Sequence, residues 1–147
     1  MAYSVRSAYH LACEEKERTL PGPSNPCHHK VWKEIWKAQV SNKVKNFMCR
    51  LAKNILPTRE NLSKKGVSLE KQCPLCHGGI ESTNHLFMQC NLMRLTLFAS
   101  QLGSHMPFEV DLHDWILSWL TCQDQLGSQL FCSILWKFWT GRNNVVF

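Results

Sequence analysis

The chain has 147 residues, which suits one domain or two small subdomains, and 44% of them are hydrophobic, with six tryptophans; that supports a packed core and excludes wholesale disorder. Seventeen Lys and Arg against eleven Asp and Glu give a formal net charge of +6, a balance compatible with a polyanionic partner but silent on fold. No stretch approaches the ~20 apolar residues of a membrane span, and residues 1–17 carry no secretory pattern. The sequence therefore points to an intracellular setting, nucleus or cytoplasm, where eight cysteines read as metal ligands or buried thiols rather than disulfides.

The first helix is expected within residues 1–18. Ser4 is placed to cap it, and Val5, Ala8, Tyr9 and Ala12 recur at helical spacing. Three prolines and a glycine between Thr19 and Pro26 make residues 19–28 a proline-rich linker. A second helix is expected from about His29, with Trp32, Ile35 and Trp36 on one face and Lys33, Glu34 and Lys37 on the other. Ser41 or Asn42 can cap a third, whose apolar stripe is Val44, Phe47, Met48, Leu51 and Ile55, with Pro57 as its stop. Lys43, Asn46, Arg50 and Lys53 fall opposite that stripe. Thr58 can cap a short fourth helix ending at Gly66.

Beyond residue 90, Leu92, Leu95, Ala99 and Leu102 repeat at helical spacing. Asp111 can cap a helix carrying Leu112, Trp115, Ile116 and Trp119. A break at Gly127-Ser128 precedes a last helix with Phe131, Ile134, Leu135 and Phe138 inward. No run alternates strictly, so the expected fold is mainly α. Residues 29–102 form its central domain and residues 103–147 a C-terminal helical extension. Charge divides along the chain: residues 1–72 carry 14 basic against 6 acidic residues, residues 73–147 carry 3 against 5, and Lys30 to Lys71 holds 11 against 3. Such a run is either a solvated face or a surface for a polyanion.

The residues that carry chemistry are Cys73, Cys76, His85 and Cys90. Zn²⁺ prefers four tetrahedral ligands, and thiolates and imidazole suit it. A gap of two lets both sulfurs of a tight turn reach one ion, and a small hairpin around Cys73–Ile80 would be consistent with that. Ser82 or Thr83 can cap a short helix presenting His85. An offset of five turns an α-helix by about 140°, so the helix must unwind near Cys90, and Asn91 can start the next one. Three thiolates, one imidazole and the ion sum to a charge of −1 and leave no position open for water, so the expectation is one structural Zn²⁺. Binding at such sites contributes ~10–16 kcal/mol to folding.

His77 is a competing ligand, disfavoured because adjacent ligands strain the turn. Cys27-His28-His29 reads as loop, and Cys13, Cys49, Cys122 and Cys132 read as small buried apolar residues. The tryptophans fit a core better than a base-stacking platform. There is no phosphate-binding glycine loop, no nucleophile elbow and no His-Glu-x-x-His, so no small-molecule substrate and no enzyme activity are expected.

An ordered series of motifs adds a resemblance. Tyr3-Ser-Val-Arg-Ser-Ala-Tyr9, Trp32-Lys-Glu-Ile-Trp-Lys37, Lys43-Val-Lys-Asn-Phe47, Arg50-Leu51 and Leu56-Pro-Thr-Arg-Glu-Asn-Leu62 precede Cys73-Pro-Leu-Cys76, Glu81-Ser-Thr-Asn-His-Leu-Phe87 and Cys90. The series resembles the zinc-binding region that follows the reverse transcriptase in plant LINE-type (non-LTR) retrotransposons, and Trp136-Lys-Phe-Trp139 with Arg142-Asn143 is similar to the stretch just beyond it. The resemblance implies metal ligands at Cys73, Cys76, His85 and Cys90. It also implies a region that helps hold nucleic acid near the polymerase, and a segment of a polyprotein without the polymerase, endonuclease or ribonuclease H residues. Cys49 departs from the tryptophan usual before the arginine, and Thr96-Leu97-Phe98 stands near the place of a Val-Trp pair. The leading expectation is a module meeting RNA or DNA phosphates through Lys43, Arg50, Lys53, Arg59, Lys64 and Lys65. A protein-interaction or dimerisation module and a retroelement relic are the alternatives.

Overall fold

A computed structural model describes residues 26–103, 109–122 and 124–147. The expected helix over residues 1–18, residues 19–25 of the linker, Cys13 and the side chain of Cys122 lie outside them. Among the described residues the structure is helical: α1 (Pro26–Lys37), α2 (Asn42–Ala52), α3 (Arg59–Lys64), a π-helical turn (His85–Gln89), α4 (Asn91–Ala99), α5 (Leu112–Cys122) and α6 (Gln125–Val146). The hairpin expected around Cys73–Ile80 is reduced to a single antiparallel bridge between Gln72 and Ile80.

Helix α1 starts three residues before the expected His29, so Cys27-His28-His29 is helical rather than loop. Proline is at home in a first helical position, where its missing N–H has no partner to lose. Val31 and Ile35 form the buried seam of α1, whereas Trp32 and Trp36 remain 38% and 42% exposed, correcting the expectation that both tryptophans share the inward face. The two rings pack on each other, centroids 6.0 Å apart, and Lys53 and Lys45 lie over them at 4.4 and 5.9 Å. Ser41 caps α2, its hydroxyl accepting from the Val44 amide. The stripe Val44, Phe47, Met48 and Leu51 is buried as expected. Ile55 leaves it, 56% exposed, because the helix ends at Ala52, well before Pro57, where Asn54 takes a left-handed φ of 53°, a conformation asparagine tolerates. Thr58 caps α3 through the Asn61 amide, and Gly66, φ +86°, follows its last turn.

Two further expectations are corrected. In α4 the inward residues are Met93 and Leu97, while Leu92 and Leu95 are exposed. Buried Cys90 sets the phase, and offsets of three and four from it select 93 and 97 rather than 92 and 95. Helix α6 begins at Gln125, capped by the Asp124 carboxylate on the Gly127 amide at 2.8 Å, so Gly127 and Ser128 lie inside its first turn instead of breaking the chain. Their small size has another use: Ser128 is buried and donates to the Trp119 carbonyl at 3.0 Å, fastening α6 to α5.

Helix α1 packs on α2 and α5, and α2 packs on α5 and α6. Aromatic rings join these elements to the chain around the cysteines. Phe47 of α2 meets Phe87 of the π turn at 6.1 Å and Trp136 and Trp139 of α6 at 5.4 and 6.4 Å. Phe131 stacks on Trp119 at 5.0 Å and meets Trp115 edge to face at 4.9 Å. Ring pairs of this kind contribute about 0.5–1.5 kcal/mol each beyond their buried area. Cys49 and Cys132 are buried, and burial pushes both thiols up, Cys132 to about 12, with Lys53 partly offsetting the effect at Cys49; such thiols are inert packing groups.

One polar contact stands inside this apolar frame. The Arg142 guanidinium of α6 donates from Nε and Nη2 to both carboxylate oxygens of Glu81, at 2.6 and 2.5 Å, and both side chains are fully buried. The same carboxylate accepts the Arg59 amide at 2.7 Å, in the first turn of α3. Removing one member strands the other charge without water, at a cost of about 3–5 kcal/mol. Arg142→Met is therefore expected to lower unfolding free energy by about that amount in chemical denaturation; stability equal to the parent chain would contradict the role of the pair.

Candidate metal centre

The turn Cys73-Pro-Leu-Cys76 is closed by the His77 amide on the Cys73 carbonyl at 3.0 Å and by the Cys73 amide on the Gly79 carbonyl at 2.7 Å. His77 takes a left-handed φ of 54° to make the return. Its own carbonyl accepts from Gln72 Nε2 at 2.7 Å, and its side chain is exposed, outside the cysteine group. The Gly78 amide points at Cys76 Sγ, 3.3 Å away, as amides do around thiolates in such turns.

The second pair of groups comes from the segment after Glu81. Ser82 Oγ accepts the His85 amide at 2.9 Å, as expected of a cap there. The five-residue offset is then solved by widening and breaking the helix. Cys90 N–H donates to the His85 carbonyl at 2.7 Å, an i to i+5 bond, and Cys90 itself is extended, φ −64° and ψ 124°. A π turn places residues five apart almost above one another, which an α-helix does not, and Asn91 starts the next helix as expected.

The result is that one ligand atom from each of Cys73, Cys76, His85 and Cys90 lies within 4.8 Å of all the others. Cys73 and Cys90 are fully buried, and Cys76 and His85 are half-buried. Cys76 Sγ stands 3.2 Å from His85 Nε2, close to the ~3.5 Å edge that tetrahedral Zn–S and Zn–N bonds imply. The donor set, the separations and the Nε2 presentation fit a single zinc ion. When bound, the ion supplies a cross-link between two segments of chain. Burial pushes the Cys73 thiol up, and that of Cys90 to about 11. At Cys76 burial acts the same way but is outweighed by the Gly78 amide and by hydrogen bonds with Cys73 and Cys90, so its thiol lies below the ordinary value. Metal uptake must displace the protons of the two raised thiols, so it weakens as pH falls.

The family model described as zinc-binding in reverse transcriptase matches residues 3–96. The chain belongs to this family. A protein of Arabidopsis thaliana named "Putative ribonuclease H protein" is 27% identical over 154 residues that cover 99% of this chain. The chain spans 23% of that relative's length. No solved structure matches. The family is a zinc-binding rather than a catalytic one, and the match supports a retroelement origin.

The six cations expected to meet nucleic acid are not brought to one spot. Lys43 and Arg50 are exposed two turns apart on one face of α2, with Asn46 between them. Lys53 lies over Trp32. Arg59 donates from Nη1 to the Gln72 carbonyl at 2.8 Å, bracing the cysteine turn. Lys64 forms an exposed pair with Glu60 at 3.1 Å, and Lys65 ends α3. Sequence reasoning passed over Glu81 and Arg142. Arg142 did leave a signal, since it falls on the inward face of α6 with Leu135, Phe138 and Trp139, where a charge demands a partner.

Metal analysis of the purified chain is expected to give one zinc per molecule. His77→Ala should leave that ratio unchanged, and Cys73→Ser or Cys90→Ser should abolish stoichiometric binding. Zinc retained by the cysteine variants and lost by the histidine variant would contradict the ligand set.

Proposed function

We propose that Cys73, Cys76, His85 and Cys90 hold a structural Zn²⁺ and that the module is a non-catalytic part of a plant LINE-type retrotransposon protein, where it contacts RNA or DNA phosphates. Four protein ligands fill a tetrahedral ion and leave no place for substrate. The observation that carries the nucleic-acid reading is the exposed face of α2. Lys43 and Arg50 stand there without a carboxylate partner among the described residues, whose ion pairs include Lys37–Glu34, Lys64–Glu60 and Arg142–Glu81. Lys53 and Lys65 are further phosphate contacts in this reading, and Arg59, Lys64 and Lys53 contribute less because each already holds a partner. Residues 29–102 act as the zinc-binding domain and 103–147 as its helical extension. The setting is intracellular, and among the described residues no helix is long and apolar enough to cross a membrane.

A second reading, a dimerisation or protein-interaction module, draws on the exposed Leu92 and Leu95 of α4. Sedimentation that changes with protein concentration would favour it.

Phosphate contacts of this kind are tolerant of sequence and steeply salt-dependent. With about four contacts, affinity should fall about a hundredfold between about 50 and 200 mM salt. The double substitution Lys43→Gln/Arg50→Gln should reduce the slope of log affinity against log salt by about 2. Absence of salt-sensitive binding by the folded, zinc-loaded chain to single- or double-stranded nucleic acid would overturn the reading.

A further inference from the structure

A cavity of about 410 Å³ lies between α2, the Leu56-Pro57 loop and the end of α6. One side is polar and cationic, with Lys43, Asn46 and Arg50 at successive offsets of three and four on α2. The other side is aromatic, with Trp136 half-buried and Phe147 largely exposed. Asn143 closes the same side. Its Oδ1 accepts from Arg142, which leaves its amide N–H groups as the available donors. The volume lies in the range of small-ligand sites, about 300–1,000 Å³.

We propose that this cavity takes one unpaired nucleotide, its base against the Trp136 ring and its phosphate at Lys43 and Arg50. The inference rests on the nucleic-acid reading above and specifies the form of nucleic acid that reading leaves open. A base within a duplex has both faces covered by its neighbours, so an aromatic wall can act only on a base that has left the stack. A phosphate sits within a few ångströms of its own base, so a wall of rings beside a row of cations matches a nucleotide better than either feature alone. Lys43 Nζ lies over the Trp136 ring at 5.4 Å, so a base that stacks on that face displaces the ammonium and frees it for the phosphate. A fully apolar occupant, such as a leucine-rich partner helix, would leave Asn46 and Arg50 facing it without a counterpart. Asn143 can read a base edge, so a modest base preference accompanies stacking.

The test uses the full zinc-loaded chain and labelled oligonucleotides about twelve nucleotides long, compared by anisotropy at low salt as a single strand, as a blunt duplex and as a duplex with a short 3′ overhang. The expected order places the single strand and the overhang about tenfold tighter than the blunt duplex. Trp136→Leu should weaken the first two about tenfold and the blunt duplex less than about twofold, with zinc content and helicity unchanged. Abasic sites in the overhang, tested on the unsubstituted chain, should erase its advantage even if the variant misfolds. Salt-sensitive binding that ignores both the overhang bases and Trp136 would overturn the cavity proposal and leave the phosphate-contact reading standing. No binding to any of the three would overturn both.

Discussion

The Glu81 carboxylate is the point at which three separate stretches of this chain are held in one arrangement. It follows the cysteine turn, accepts an amide from the start of α3, and receives both prongs of Arg142 from near the end of α6. Removing two charges from water costs several kcal/mol per ion, and a well-formed pair roughly offsets that cost rather than exceeding it. The contact therefore selects geometry more than it adds stability. An apolar face accepts many rotations of a helix; a buried guanidinium accepts only one that brings both of its N–H pairs onto a carboxylate.

That constraint links the metal to the rest of the fold. The segment from Cys73 to Cys90 has a single bridge and one short π turn to hold it, too little backbone structure to persist without a cross-link. Zinc binding free energy at such a site is folding free energy. Through Glu81 and through Phe87, which packs on Phe47, Phe138 and Trp139, the ordered knuckle becomes a template for α6. The orientation of α6 in turn fixes Trp136 and Asn143 opposite Lys43 and Arg50. Metal site, ion pair and the α2–α6 cavity are thus successive consequences of one folded segment.

Much of this was legible in the sequence where local chemistry decides. The Cys73, Cys76, His85, Cys90 spacing contains its own geometric requirement, and Ser41, Thr58, Ser82 and Asp111 are caps because a side-chain oxygen before a helix has one good use. The helix phases were less legible. In α4 the choice between Leu92-Leu95 and Met93-Leu97 depends on which way Cys90 faces, and in α1 the tryptophans lie at the margin of the buried seam, where lysines cover them. Periodicity alone cannot separate such neighbouring stripes when apolar residues occupy both. Glu81 and Arg142 were beyond local reasoning altogether, because sixty-one residues separate them and only the tertiary fold makes them partners. The cavity between α2 and α6 was hidden for the same reason.

Glu81 and Arg142 join the zinc knuckle and α6 into one cooperative unit. Amide hydrogen exchange with and without chelator measures this residue by residue. Removing zinc is expected to strip protection from the Phe131–Arg142 stretch of α6 together with the Cys73–Cys90 segment, although α6 contributes no ligand. Loss of protection confined to residues 73–90, with α6 as slow to exchange as before, would contradict it.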